Sequence, residues 1–226
     1  MAQPLIGITF HGIGTPRRTL EPGEAPYWIS TPRFEAILDR IAAQPDPSRF
    51  RISFDDGNLS DLDIALPRLI ARNLSADVFV LSGRIGQPGS LSAADIRALA
   101  AACQRIGSHG IHHRDWRRIP PAELHAELTQ SRAALAAITG APITTASIPF
   151  GSYNGRVLTA LKSAGYSAAY SSDRGRMTDT TYLRPRTSVR EDTDDAALTK
   201  ILHGRLSAQT TLRRAAGMVH RRLSRG

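Results

Sequence analysis

The sequence predicts an α/β protein in which strands and helices alternate around a parallel sheet. Three observations support this fold class. Short apolar segments typical of strands recur about every 25 to 40 residues, helical segments with capping residues lie between them, and polar clusters follow several strands. Five or more such units in one domain indicate a barrel or partial barrel, and a doubly wound open sheet is the alternative.

The predicted elements follow one another in a regular order. Strands are expected at 5–10, 51–54, 76–83, 106–110, 143–151 and 167–172, and helices at 31–44, 59–73, 91–106, 120–140 and 154–165. Thr31 and Ser92 suit helix N-caps, and Gly140 suits a helix end. Pro67 predicts a break or kink inside the second helix, because proline lacks the N–H that a helix interior needs.

Length and cysteine content limit the class of protein. The 226 residues are enough for one domain of barrel size. No apolar run reaches the roughly 18 residues typical of a membrane span, and the first residues lack the pattern of a secretory signal. The single cysteine, Cys103, excludes an internal disulfide. The absence of disulfides is usual in a reducing compartment. These features predict a cytoplasmic protein.

Most of the net positive charge lies near the end of the sequence. The formal net charge is +9, and residues 205–226 contain six arginines and no acid. We therefore expect a main domain at 1–204 and a basic helical tail at 205–226. A solvated terminus is the first interpretation of the tail, and weak contact with a membrane surface or an acidic partner is the alternative. No nucleic-acid partner is expected.

Polar side chains follow four of the predicted strands. In parallel α/β sheets ligands bind beyond the carboxyl ends of the strands, so these side chains should converge on one rim. They are His11, Asp55 with Asp56, His109 with His113, and Asp173; the turn Pro149, Phe150 and Gly151 follows a further strand at the same rim.

Two of these clusters have the composition of a metal site. The segment "GSHGIHHRDW" holds His109, His112 and His113, and "SFDDG" holds Asp55 and Asp56. Two histidines and one aspartate leave open coordination positions, as catalytic zinc sites do. One carboxylate would then bind the metal and the other would act as a base on metal-activated water, but the spacing does not assign the two roles. A buried histidine cluster paired with the acids is the alternative.

The order of these motifs resembles that of the polysaccharide deacetylases, the family-four carbohydrate esterases with a chitooligosaccharide-deacetylase-like domain. "SFDDG" (53–57) resembles the first family motif and "SHGIHH" (108–113) the second. "SIPFGSYN" (147–154) resembles the third, and "AGYSAAYSSDRGR" (164–176) resembles the strand that leads to the fourth. The resemblance implies a distorted, incomplete (β/α) barrel of about seven units, with a catalytic domain at 1–204.

The resemblance also implies an activity and a set of site residues. The family hydrolyses N- or O-acetyl groups on sugars, with metal-bound water attacking the acetyl carbonyl, so an acetylated saccharide is the expected substrate. Zinc is the expected metal, with cobalt, nickel and manganese as alternatives. The implied roles are Asp55 as base, Asp56, His109 and His113 as metal ligands, and Pro149, Phe150, Gly151 and Asp173 as substrate contacts.

Trp28 is a further candidate contact, because aromatic rings on a loop after the first strand can stack on a sugar; packing onto the barrel is the alternative.

The sequence departs from the family pattern in three places. Ser147 occupies the position where the third motif usually has an arginine that orients the base, and Arg184, Arg186 and Arg190 are candidates to replace it. The acidic cluster of the fourth motif is reduced to Asp173. The usual Leu-x-His that supplies the general acid is not evident near the end of the sequence.

His11 is the candidate general acid in its place. Some relatives are circularly permuted and carry the equivalent strand and histidine at the amino terminus, and histidine has a pKa suited to this role. A histidine that only hydrogen-bonds inside the rim is the alternative. His203 lies in a helical pattern and is expected on the surface.

Three function classes follow from the sequence. The first is a metal-dependent hydrolase that removes acetyl groups from a sugar or polysaccharide. The second is a catalytically reduced relative that only binds glycan, because the third and fourth motifs are incomplete. The third is a basic protein that binds polyanions through its charge.

Overall fold

The computed structural model describes residues 4–204 and Gly217. The predicted basic tail, 205–226, therefore lies outside the described residues apart from that one glycine. Within the described part, no helix is both long and apolar enough to cross a lipid bilayer.

Short strands and helices alternate along the chain. The strands are β1 (Leu5–Phe10), β2 (Gly12–Ile13), β3 (Trp28–Ile29), β4 (Phe50–Phe54), β5 (Ala76–Val80), β6 (Arg105–Ser108), β7 (Thr145–Ser147), β8 (Ala168–Ser171), β9 (Arg176–Met177), β10 (Leu183–Pro185) and β11 (Thr187–Ser188). The α-helices are α1 (Thr31–Ala42), α2 (Leu66–Ile70), α3 (Ala93–Ala101), α4 (Pro121–Thr139), α5 (Gly155–Ser163) and α6 (Asp195–Leu202).

The main sheet is parallel and almost closes on itself. Its strands follow the order β10-β8-β7-β6-β5-β4-β1-β11, with every neighbouring pair parallel, and β9 adds an antiparallel pair to β1. The two ends of this path, β10 and β11, are separated in the chain only by Arg186, whose N–H donates to the carbonyl of Ser171 at 2.8 Å. The ends of the sheet thus meet at one residue. The prediction of a distorted, incomplete barrel is confirmed, and a doubly wound open sheet is excluded.

The core lies between the sheet and the surrounding helices. All six residues of β1 are buried, as expected for a parallel strand covered on both faces. One face of α1 is buried, at Phe34, Ile37, Leu38 and Ile41, which is the face that the sequence periodicity predicts. Phe10 packs against Phe34 and Phe54, with ring centroids 5.0 and 5.7 Å apart. Each such buried ring contributes about 1.5–3 kcal/mol, so this cluster holds α1 against the sheet.

Helix ends follow the local sequence with one small difference. Ser30, not Thr31, is the N-cap of α1, because its side chain accepts the N–H of Arg33. Ser92 caps α3 and forms a reciprocal capping box with Asp95. At Pro67 the second helical segment changes its geometry without an interruption: a π-helical stretch, Asp61–Ala65, runs directly into α2, with the proline in its first turn.

Candidate metal and active site

A cleft of about 330 Å³ lies at the carboxyl ends of the strands. Side chains that follow β1, β4, β6, β7, β8 and β11 all reach its wall. The chain thus brings together residues far apart in sequence, from His11 to Arg190. The expected convergence of strand ends on one rim is confirmed, because all parallel strands place their carboxyl ends on the same side.

Three candidate ligands face one another on the cleft floor. Asp56 Oδ1 lies 3.6 Å from His109 Nε2 and 3.7 Å from His113 Nε2. The ligand atoms of the three residues all lie within 4.8 Å of one another. Asp56 is 2% exposed, and its Oδ1 has no hydrogen-bond partner among the described residues. A buried carboxylate oxygen without a partner is costly, and a cation held between these three atoms would remove that cost.

Hydrogen bonds on the far side of each imidazole orient it toward Asp56. His109 Nδ1 lies 2.9 Å from the carbonyl oxygen of Ser147, and His113 Nδ1 lies 2.6 Å from Glu21 Oε2. Because both partners are acceptors, Nδ1 carries the proton and Nε2 presents its lone pair to the cleft. Burial lowers the pKa of His109 despite the nearby carboxylates, which favours the neutral imidazole that a metal ligand requires.

His112 is turned away from this group. Its Nδ1 lies 2.8 Å from Glu127 Oε1, and its side chain is 66% exposed. Of the three histidines in the motif, the outer two therefore point into the cleft. This is the pair that the family resemblance implies.

Left-handed backbone conformations concentrate at the cleft. Six described non-glycine residues have positive φ, and four of them line it: Asp56 (76°), His113 (53°), Phe150 (58°) and Arg174 (61°). Each such conformation costs on the order of 1–3 kcal/mol and persists only where the surroundings hold it. Two of the three candidate ligands are thus turned into the cleft by strained backbone.

Asp55 is held by a buried arginine. Arg186 Nη1 and Nη2 donate to its two carboxylate oxygens, each at 2.8 Å, and Ser147 Oγ donates to Oδ2 at 3.0 Å. Asp55 is 4% exposed and Arg186 is 2% exposed. Burial by itself would raise the pKa of Asp55, but the charge of Arg186 brings the pKa well below its ordinary value. Asp55 is therefore an ionised carboxylate with a fixed orientation.

Arg186 is the residue that replaces the arginine missing from the third motif. Arg184 instead donates to the hydroxyl of Tyr170, at 3.0 Å, and to two backbone carbonyls. Ser147, which occupies the usual arginine position, accepts a hydrogen bond from Arg186 Nη2 at 2.6 Å. Of the three candidate arginines, Arg186 thus reaches Asp55, from its position between β10 and β11, and Ser147 bonds to both partners.

His11 lines the cleft, and one of its ring nitrogens has no hydrogen-bond partner in the described part of the chain. Its ring packs against Tyr27 with centroids 4.8 Å apart. Its Nδ1 is buried and makes no hydrogen bond with any described residue. This placement counts against a histidine that only hydrogen-bonds inside the rim, and leaves the ring available to a ligand.

The candidate substrate contacts divide into two groups. Phe150 and Gly151 line the cleft; the Phe150 side chain is 62% exposed and packs on His113 with centroids 4.4 Å apart. Pro149 is buried behind the turn and, among the described residues, is not part of the lining. The turn therefore presents one ring and one backbone segment to a ligand.

Trp28 and Asp173 lie behind the described wall of the cleft, and their roles as substrate contacts stay predictions. Trp28 is 8% exposed and its indole N–H donates to Glu24 at 3.3 Å, so it packs on the barrel while its neighbour Tyr27 lines the cleft. Asp173 accepts hydrogen bonds from the Tyr153 hydroxyl at 2.7 Å and from the Ser171 hydroxyl at 2.8 Å. Neither is among the described residues that form the wall.

Two acids that support the ligands were not predicted. Glu21 holds His113 and is itself ion-paired to Arg84. Glu127, 3% exposed on α4, accepts the backbone N–H of Ile111 at 2.6 Å and fixes the loop between the two ligand histidines. An acid on the apolar face of a helix is a signal that could have identified Glu127, whereas nothing marks Glu21 among loop residues.

Asp61 is a further buried acid near the site. It suits a helix N-terminus by sequence, but it is 1% exposed and neither carboxyl oxygen has a hydrogen-bond partner in the described part of the chain. Burial, together with the negative charges of Asp56 and Asp55, raises its pKa well above the ordinary value. Burial therefore favours the protonated form of this acid behind the site.

Known proteins resemble this chain in sequence and in structure. The model of the polysaccharide deacetylase family matches residues 42–169, more than half of the chain. YxkH of Bacillus subtilis (strain 168), whose name assigns it to the polysaccharide deacetylases, is 25% identical over 149 residues, which are 66% of this chain. The match spans 53% of YxkH, so the chain covers about half the length of that relative.

Solved structures share the fold across most of the described chain. The deacetylase PplD of Streptococcus pyogenes, solved with acetate, has a TM-score of 0.75 at 15% identity and covers 89% of this chain and 99% of its own. A de-N-acetylase of Aggregatibacter actinomycetemcomitans has a TM-score of 0.74 at 14% identity, with 88% and 100% covered. IcaB of Ammonifex degensii has a TM-score of 0.71 at 17% identity, with 89% and 96% covered. With the family match over 42–169, these findings show that the chain belongs to the polysaccharide deacetylase family.

Proposed function

We propose that the protein is a metal-dependent hydrolase that removes acetyl groups, in the first place N-acetyl groups, from a sugar or polysaccharide. One observation carries the proposal. The buried Asp56 Oδ1 has no hydrogen-bond partner among the described residues, faces two imidazole nitrogens, and lies beside a carboxylate that an arginine keeps ionised. Membership of the deacetylase family supports the acetylated saccharide as substrate.

Asp56, His109 and His113 would hold the metal. One carboxylate oxygen and two imidazole nitrogens suit zinc, and cobalt, nickel or manganese could bind the same donors. A divalent ion held there would polarise the acetyl carbonyl and lower the pKa of a coordinated water toward neutrality.

Asp55 would accept the proton of the attacking water. Its low pKa keeps it ionised at neutral pH, and a weak base suffices when the water is already acidic. Arg186 and Ser147 prevent rotation of the carboxylate, so the orientation of the acceptor oxygens is fixed before substrate binds.

His11 would donate the proton to the leaving nitrogen. An amine must be protonated to leave, and an imidazole is suited to proton donation near neutral pH. The unpartnered Nδ1 and the packing of the ring on Tyr27 support this role, because the ring is held in the cleft without being committed to another group. A backbone N–H near Phe150 is the proposed donor to the oxyanion, and the exposed Phe150 ring suits stacking on a sugar.

The glycan-binding alternative loses one of its two supports. It was based on the incomplete third and fourth motifs, and Arg186 makes the two hydrogen bonds to Asp55 that the missing third-motif arginine would be expected to make. The reduced fourth motif still favours that alternative. Cytoplasmic location and weak contact of the tail 205–226 with a membrane surface or an acidic partner stay predictions.

The test is acetate release by the metal-loaded protein. N-acetylglucosamine oligomers and a generic acetyl ester should both be hydrolysed, activity should be lost on chelation, and zinc should restore it. Stoichiometric metal with no acetate released from any substrate would support the glycan-binding relative instead.

A further inference from the structure

The charges on the cleft wall are not balanced, because three of its four acids are already neutralised by arginines that lie behind the wall. Arg84 pairs with Glu21, Arg18 with Glu24, and Arg186 with Asp55. None of these three arginines belongs to the described cleft wall. The remaining acid, Asp56, faces the candidate ligand histidines.

The two arginines that do line the cleft lack comparable partners. Arg174 is exposed and forms no ion pair with any described residue. Arg190 pairs only with Asp192 in the described part of the chain, at 3.3 Å; Asp192 is 73% exposed, and such surface pairs contribute little. Two positive charges therefore remain uncompensated on the wall, in addition to any charge that a metal ion brings.

The structure restrains the side chain of Arg190 and the backbone of Arg174. The Arg190 guanidinium lies over the ring of Tyr27, 5.2 Å from its centroid. Its buried Nε is the atom 3.3 Å from Asp192, a contact without hydrogen-bond geometry, so this N–H is still available to a ligand. The backbone N–H of Arg174 donates to the carbonyl of Arg186 at 3.0 Å, which fixes the point from which the Arg174 side chain leaves the wall.

The backbone at Arg174 is strained for a residue with a side chain. Its φ is 61°, and Gly175 follows with φ of 89°. A glycine would adopt this conformation without the steric cost of about 1–2 kcal/mol that an L-residue meets. An arginine at such a position on a cleft wall indicates a use for the side chain.

We propose that Arg174 and Arg190 form a subsite for an oxyanion, so that the substrate is an acetylated sugar that also carries a carboxylate or a phosphate. The guanidinium fork matches both groups through paired hydrogen bonds. A neutral acetylated glycan would leave both charges without partners. The substrate class rests on the proposed deacetylase function, whereas the anion site itself does not.

Binding of deacetylated sugars tests the subsite without turnover. Calorimetry on the zinc-loaded protein compares glucosamine, glucosamine 1-phosphate and muramic acid. The phosphate or the carboxylate sugar should bind at least about tenfold more tightly than glucosamine, because a charge-assisted hydrogen bond contributes more than a neutral one. The two anionic arms distinguish phosphate from carboxylate as the recognised group.

Variants that each remove one positive charge distinguish a specific anion site from a general electrostatic attraction. Arg174→Gln and Arg190→Gln should each reduce the advantage of the anionic sugar by about tenfold. Arg97→Gln is the control, because Arg97 is exposed on α3 outside the cleft and its loss changes the net charge equally. Equal affinity for all three sugars, or an equal loss in Arg97→Gln, would overturn the proposal.

Turnover distinguishes failure of the subsite from failure of the function. Acetate release from the N-acetylated forms of the same sugars should show the same preference in kcat/KM and the same dependence on Arg174 and Arg190. Equal turnover of neutral and anionic sugars, insensitive to both variants, would leave the deacetylase and remove the subsite. Anion binding without acetate release from any sugar would leave the subsite and remove the deacetylase.

Discussion

The two ends of the barrel use their polar groups in opposite ways. A second pocket, of about 270 Å³, lies at the amino ends of the strands and is lined by residues that include Ile6, Phe50, Arg176 and His203. There Arg176 donates to the carbonyl of His203 at 2.9 Å, and His203 Nδ1 donates to the carbonyl of Thr199 at 2.7 Å. At the carboxyl ends, Asp56 Oδ1 and His11 Nδ1 have no described partner. The difference shows where the chain retains unsatisfied groups for a ligand.

Backbone strain follows the same division. The cleft at the carboxyl ends has four non-glycine residues of positive φ in its wall, and the described pocket at the amino ends has none. Strain at one end only is expected if side chains must be aimed at that end and merely packed at the other. Substitutions of matched type at the two ends should therefore have unequal effects.

The largest difference is expected for metal binding. His109→Ala removes one of three ligands, so metal content should fall from about one ion per chain to near zero, and acetate release should fall below detection. His203→Ala, at the amino ends, should keep both. Elemental analysis and acetate assays measure the two quantities. Full, unchanged metal in His109→Ala would contradict the ligand assignment.

A large loss of turnover without loss of metal is expected for Asp55→Asn. Activity should fall by at least about a hundredfold, the usual effect of removing a general base, while metal content stays near one per chain. Asp46→Asn is the control at the amino ends, where Asp46 caps a short turn by accepting the N–H of Ser48 at 3.1 Å and its hydroxyl at 2.5 Å. Metal loss in Asp55→Asn would mean that Asp55 and Asp56 have exchanged roles.

The two histidines at opposite ends give a test that depends on the leaving group. His11→Ala should reduce turnover of an N-acetyl sugar by about two to four orders of magnitude, yet affect an activated acetyl ester far less, because a phenolate leaves without protonation. His203→Ala should be close to neutral on both substrates. The opposite pattern, with the selective loss in His203→Ala, would assign the general acid to the C-terminal histidine.

Sequence could predict the barrel and the meeting of Asp56 with His109 and His113, because both depend on regular features. Strand direction places every carboxyl end on one rim, and the spacing of His109 and His113 puts both on one loop. Arg186 could not be singled out from Arg184 and Arg190, because the closing segment is interrupted at Arg186 and a broken strand does not alternate its faces. The sequence left open whether Trp28 packs or lines the cleft, because an aromatic residue after a strand has the same pattern in both cases.

Supporting acids were the least predictable part of the site. Glu21 lies on a long loop, and its bond to His113 depends on how that loop crosses the rim. Asp61 has the sequence context of an exposed helix start, and only the tertiary packing buries it. Such residues act through contacts between distant segments, which the local sequence does not specify.

The smallest effect is expected for Ser147→Ala. Its hydroxyl donates to Asp55 at 3.0 Å and accepts from Arg186 at 2.6 Å, but those two residues also hold each other through paired hydrogen bonds. Losing the hydroxyl should therefore lower the free energy of unfolding by about 1 kcal/mol and turnover by less than about tenfold, with metal content unchanged. Urea unfolding and acetate release measure these quantities. A loss as large as that of Asp55→Asn would show that the serine, and not Arg186, is the main support of the base.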